Sequence, residues 1–208
     1  MGEPRYASAA VNVRRLWIIV CALAVALAVA ACGSGKQVST TPGQLTGHEV
    51  GNEANDGSYI QAGAITYQLE ISRELNPYSV QDKPLVAGLP KGFVAPNANQ
   101  IWYGVFLWAK NQHHHAYRTS DNFEIVDSEG TTYRPVKLNP TENPYAWTSQ
   151  LLQKNQTDPG QDSVQSDGES QGGLLLFKLN NAVYSNRPLM LYVLGVHDRK
   201  LGSIFLDL

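Results

Sequence analysis

Apolar residues recurring at every second position are the feature that most narrows what this chain can fold into. Ile65, Tyr67, Leu69 and Ile71 alternate with Thr66, Gln68, Glu70 and Ser72, the pattern of a strand with one buried and one solvated face. Residues 101–110 differ. There Tyr103, Val105 and Leu107 on one parity are matched by Trp102, Phe106 and Trp108 on the other, which predicts a strand in the middle of the sheet system, covered on both sides. Residues 123–127 and 131–137 flank Ser128-Glu129-Gly130 and read as a hairpin. Residues 174–179, 189–196 and 203–208 supply three more strands. Seven short strands, abundant turn residues and no amphipathic helix predict an all-β chain, an antiparallel β-sandwich.

Two segments do not fit the alternation. Residues 74–100 are broken by Pro77, Pro84, Pro90 and Pro96, which excludes a long central strand and leaves room for a short helix or an edge segment. Residues 139–173 are polar, with four acids and no base between Asp158 and Glu169. A connection of that length is expected to be functional or mobile, and residues 153–171 are expected to be solvated and open to proteolysis.

The N-terminal stretch obeys other rules. Arg5, Arg14 and Arg15 stand against the single acid Glu3, and residues 16–31 carry no charge. That apolar run is shorter than the roughly 18 residues a spanning helix needs, and it ends in small residues, so a cleaved signal peptide (residues 1–31) is favoured over a retained transmembrane helix. Val29-Ala30-Ala31-Cys32 resembles the bacterial lipobox, which predicts cleavage before Cys32 and a diacylglyceryl group on its sulfur. Each buried methylene contributes about 0.8 kcal/mol and one acyl chain holds only marginally, so two or three chains make a stable anchor. Arg14-Arg15 also resembles a twin-arginine signal, but Val13 departs from that pattern and the general secretory route is favoured.

Residues 32–57 are rich in Gly, Ser, Thr, Gln and Asn and are expected to form a flexible tether with a reach of about 25–30 Å. Residues 58–208 are then a single domain by length. Residues 32–208 carry 13 Lys and Arg against 17 Asp and Glu, a net charge of −4 with the bases scattered, which argues against nucleic acid and against a polybasic membrane patch. The chain has only Cys21 and Cys32, so the mature domain is expected to fold without a disulfide.

The motif Phe123-x-Ile125-x-Asp127-x-x-Gly130-x-x-Tyr133-x-Pro135, followed by Gly173-Leu174-Leu175-Leu176-Phe177 and a closing apolar strand, resembles the telokin-like, immunoglobulin-like domain of unknown function found in Gram-positive, especially actinobacterial, lipoproteins. The resemblance implies an immunoglobulin-like sandwich of about seven strands and a cell-surface location. It carries no catalytic residue to transfer. The long acidic insertion before Gly172-Gly173 departs from the usual pattern.

Candidate chemistry is sparse, and neither a catalytic residue nor a cofactor is expected. In a strand, His113 and His115 point to one side and His114 to the other, but all three follow Asn111, where the strand should end, and no recognised ligand spacing accompanies them. A solvated loop is therefore expected, with no metal. His197-Asp198 reads as a turn rather than part of a hydrolytic triad, since no Gly-x-Ser-x-Gly elbow exists. Glu70 and Glu74 read as ordinary exposed acids. The stripe of Trp102, Phe106 and Trp108 is read as core rather than as the lining of a groove. Tyr145 and Trp147, in Pro-Tyr-Ala-Trp, either plug an open end of the sandwich or present an adhesive tip to a partner.

The function expected from sequence is that of a membrane-anchored extracytoplasmic lipoprotein. Lipid is its partner through Cys32, and an envelope protein or polymer is a further partner of a non-catalytic domain. An envelope hydrolase with its site in residues 139–173, and a metal-binding or small-ligand-binding subunit, are the rival readings.

Overall fold

A strand that is apolar on both parities needs cover on both faces, and the rest of the fold supplies it. The computed structural model describes Glu49–Val50 and residues 58–206. In chain order the strands are β1 (Glu49–Val50), β2 (Ser58–Ala62), β3 (Ile65–Leu75), β4 (Gln100–Asn111), β5 (Tyr117–Arg118) and β6 (Phe123–Val126). They continue with β7 (Thr132–Tyr133), β8 (Leu151–Leu152), β9 (Thr157–Asp158), β10 (Gly173–Asn180), β11 (Leu189–Leu194) and β12 (Lys200–Leu206). One sheet has the order β1-β2-β3-β4-β10, with β9 pairing the end of β4 at Ala109 and Lys110. A second has the order β12-β11-β6-β7, and β5 pairs β8 in a small third. All named strand pairs are antiparallel.

Seven described strands run four residues or more, but they are not the seven read from sequence. The segment 131–137 shortens to β7, and β2, hidden beside a polar stretch, takes its place. β2 joins β3 through the two-residue turn Gly63-Ala64, with Gly63 at φ +67°, at the first central turn position that hairpins reserve for Gly. Of the segment expected to be a tether, Glu49–Val50 lies as β1 along β2. The signal peptide, Cys32 and the rest of the tether lie outside the described residues.

The two parities of β4 feed two separate cores. Tyr103, Val105 and Leu107 face the second sheet and meet Phe123, Ile125, Leu191, Val193 and Ile204. Trp102 and Phe106 face the other way and pack with Leu75, Leu174 and Leu176. That outer layer is closed by Leu85, Val86, Leu89 and Phe93 from the proline-broken segment, and by Val136, Leu138 and Tyr145. Phe93 stacks on Trp102 with ring centroids 5.8 Å apart. The prolines thus exclude a strand while permitting a covering layer, and each large side chain it buries contributes about 1.5–3 kcal/mol. Gly104 makes the layer possible: a Cβ there would stand 3.0 Å from Leu75 Cδ1 and 3.2 Å from Leu174 Cδ1.

Strict alternation predicts Ile71 on the same face as Leu69, and the structure reverses this. Leu69 pairs with Leu107 but Ile71 pairs with Phe106, so Glu70 is the extra residue of a bulge and every later side chain changes face. Ile71 and Leu75 therefore pack in the outer layer.

Residues 153–171 are largely exposed but not without structure. They contain β9 and one helical turn, α1 (Val164–Asp167). Gly172 N donates to Gln165 O at 2.8 Å and Gln165 Nε2 to Ala146 O at 2.9 Å. Upstream, the buried Asn143 donates from Nδ2 to Leu85 O (2.9 Å) and Ala87 O (3.0 Å), tying the two long connections together. Polar composition hid these elements because backbone partners, not apolar contacts, hold them.

Candidate functional site

Trp147 occupies one end of the inner core. Its ring meets Phe123 edge-on at 5.6 Å and Tyr67 at 6.1 Å, and Nε1 donates to Ser120 O at 2.8 Å. Its backbone N donates to Leu174 O at 2.9 Å, and Leu174 N donates to Tyr145 O at 2.7 Å, which lays Pro-Tyr-Ala-Trp along the free edge of β10. Gly173 is the signal in the sequence that marks this packing, because a Cβ there would stand 2.6 Å from Trp147 Cε3. Tyr145 packs into the outer layer instead. Trp147 is thus half-buried against the inner core and Tyr145 half-buried against the outer layer.

Beside Trp147 the chain leaves β7, crosses from the second sheet and returns to β10, where Val136 N donates to Leu176 O at 2.7 Å. The crossing segment and residues 146–149 diverge around a groove of about 480 Å³. Pro135, Val136, Leu138, Ala146 and Trp147 give it apolar walls; Asn122, Arg134, Lys137 and Ser149 give it a polar rim. That size and composition match those of ligand clefts. Of the charges at the rim, Arg134 is matched within the chain. Arg134 bridges Glu124 at 3.1 Å and Asp198 at 3.3 Å and donates to Asn122 Oδ1 at 2.7 Å. Lys200 lies 3.7 Å from Glu124 and 3.5 Å over the Tyr192 ring.

Behind Trp147 lies a buried carboxyl. Asp158, 4 % exposed, accepts a hydrogen bond from Thr119 Oγ1 at 3.4 Å. Burial pushes its pKa up to about 6, and the Thr119 bond opposes this only in part. Burial likewise drives the Tyr67 phenol above its ordinary range, against the hydrogen bond its oxygen accepts from Ser120 N at 2.6 Å.

Asp127 behaves oppositely. Burial pushes it up, but hydrogen bonds from Thr131 N (2.8 Å), Asn186 Nδ2 (3.3 Å) and Glu129 N (3.1 Å) outweigh this and hold it below the usual carboxylate range. With Gly130 at φ +83°, those bonds account for Asp127-x-x-Gly130 as turn chemistry.

The remaining candidates disperse. His113, His114 and His115 are exposed in the loop after β4, whose course is set by Asn111: Oδ1 accepts from His113 N at 2.9 Å and Nδ2 donates to His115 O at 2.8 Å. Among the described residues no three His, Cys, Asp or Glu side chains converge on a metal position. His197 and Asp198 form the turn between β11 and β12 with φ of +57° and +55°, a left-handed pair tolerated better by these residue types than by most. Glu74 accepts the Tyr184 hydroxyl at 2.6 Å, and Glu70 Oε2 lies 3.4 Å from Gln68 Nε2. Trp102 and Phe106 are buried and Trp108 is half-buried. Of the acids in residues 139–173, only Asp158 is buried.

Sheet order, antiparallel register and two facing layers define an all-β antiparallel sandwich. No family model and no curated protein matches the chain. Among solved structures it is similar to the yjhA protein from Bacillus subtilis, at 10 % identity and TM-score 0.47, covering 74 % of this chain and 99 % of that one. It is also similar to a conserved hypothetical protein from Bacillus anthracis, at 10 % identity and TM-score 0.41, covering 75 % and 97 %. An uncharacterized β-sandwich protein from Clostridium difficile follows at 11 % identity and TM-score 0.34, covering 77 % and 100 %. At such values the fold assignment rests on this chain's own strands. Among the described residues no helix is long and apolar enough to cross a membrane.

Proposed function

We propose that this chain is an extracytoplasmic lipoprotein, held to a membrane by lipid on Cys32, whose sandwich is a non-catalytic binding domain for an envelope protein or polymer. The unbroken order of basic residues, sixteen uncharged residues and Val29-Ala30-Ala31-Cys32 carries the anchor. The resemblance to telokin-like lipoprotein domains agrees with it. The binding half is supported by the groove beside Trp147, with its apolar walls and polar rim. Arg134 at its rim is already held by Glu124 and Asp198, which favours binding over chemistry at that side chain.

The anchor depends on one sulfur atom. Cys32→Ala is expected to take up no palmitate and to keep its signal peptide, because the lipoprotein peptidase acts on the modified cysteine; normal labelling of that variant would contradict the anchor. For the groove, Thr148→Trp places an indole at a half-buried lining position. It is expected to melt with the wild type while losing the envelope component that the wild type crosslinks in intact cells. Undiminished capture would remove the groove from the account.

A further inference from the structure

Tyr78 and Val80 are 95 % and 90 % exposed, yet the loop that carries them is braced. Arg73 Nη2 lies 2.7 Å from Asp82 Oδ1, and Asp82 Oδ2 accepts from Asn76 N at 2.8 Å. Asn76 Oδ1 accepts from Tyr78 N at 3.0 Å, and Ser79 Oγ accepts from Gln81 N at 3.2 Å. Two large apolar side chains are thus held in water with little left to order on binding.

A third stands at the same end of the molecule. Leu75, Trp102 and Lys178 are in register across β3, β4 and β10. Tyr78 lies just beyond Leu75, while Lys178 Nζ donates to the carbonyl of Val94, itself 73 % exposed, at 3.1 Å. At this end Arg73 neutralises Asp82, Tyr184 donates to Glu74 without cancelling its charge, and Lys83 and Lys91 are exposed. Glu169 faces Val80 across a small cleft.

We propose that this end of the sandwich docks on an anionic bilayer, with Tyr78, Val80 and Val94 entering the boundary between headgroups and acyl chains and Lys83 and Lys91 meeting lipid phosphates. The three apolar groups project separately from two loops, which suits a deformable surface. Two lysines are not a polybasic patch; the apolar groups make the insertion and the lysines supplement it, a combination that settles at membrane interfaces. The inference rests on the Cys32 reading only in needing a bilayer within reach. Sixteen residues separate Cys32 from Glu49 and extend to about 55 Å. Glu49 lies level with Tyr67 through Ile60, and from that row to Leu75 is roughly 27 Å along β3, so the linking chain is long enough.

The test uses the mature chain with Cys32→Ser, free of lipid, sedimented with mixed phosphatidylglycerol and phosphatidylcholine vesicles. Binding is expected, and is expected to fall about tenfold or more on phosphatidylcholine alone and again in the double variant Tyr78→Asp, Val80→Asp. Glu169→Lys should strengthen it. Val196→Asp, at a 79 % exposed position on the β11–β12 turn, should leave it unchanged. All these positions are exposed, so equal melting temperatures check the folds. No vesicle binding, equal binding by the double variant, or an equal loss in Val196→Asp would overturn the proposal. So would capture of a protein through Tyr78 and Val80 without vesicle binding. Palmitate labelling of the wild type reads the anchor separately, so failure of the anchor and failure of the docking face are distinguishable.

Discussion

Trp147→Ala is expected to cost about 3–5 kcal/mol of folding stability, the range for large core truncations, and to lower the melting temperature by about 6–20 °C for a domain of this size. The indole closes the inner core against Phe123 and Tyr67, and its removal also strands Ser120 O without the Nε1–H donor. A cavity forms that Gly173, which has no side chain, cannot fill. Trp147→Phe keeps an aromatic ring but loses the hydrogen bond, so a smaller cost of about 1–2 kcal/mol is expected. Thermal or urea unfolding of the three proteins provides the measurement. An unchanged midpoint for Trp147→Ala would mean that the indole serves a partner instead of the core.

Asp158→Asn is expected to stabilise the domain at pH 8 by about 3 kcal/mol, and to have little effect below about pH 4. The fold favours the neutral acid, raising its pKa from an ordinary value near 4 to about 6. Its favourable contribution is therefore complete below the unfolded value and is lost as pH rises through the folded one. Above pH 6 the wild type must hold a carboxylate at a position 4 % exposed, with Thr119 as its hydrogen-bond donor. The amide has nearly the same shape, never ionises, and keeps an oxygen for Thr119. Melting temperature against pH for both proteins gives the comparison. Parallel curves from pH 4 to 8 would show that Asp158 is better solvated than its surroundings indicate.

Where burial follows a strict alternation, the residues declare it. Both parities of β4 are apolar and both faces are buried; Phe123, Ile125 and Phe177 are fully covered. Alternation misleads at Glu70, because a bulge adds a residue without any local compositional sign and turns Ile71 to the other face. The outer layer was illegible for a different reason. Leu85, Val86, Leu89 and Phe93 would share one face of a helix, but Gly88 at φ +70° and Pro90 break the segment, so their common face exists only once Trp102 and Phe106 are beneath them. Around the site, Gly172-Gly173 carried a readable signal: Gly172 has φ +106°, with Leu107 N and O each 3.0 Å from where a Cβ would stand. Asp158 carried none, since an acid among acids looks solvated until Thr119 and Tyr67 close over it.

The most direct test of the anchored-lipoprotein account is the intact mass and N-terminal residue of the protein recovered from membranes of expressing cells. The account gives a chain beginning at Cys32 and heavier than its amino acids by a diacylglyceryl group, with or without a third acyl chain. A chain that begins elsewhere, or one that begins at Cys32 with no added mass, would contradict it.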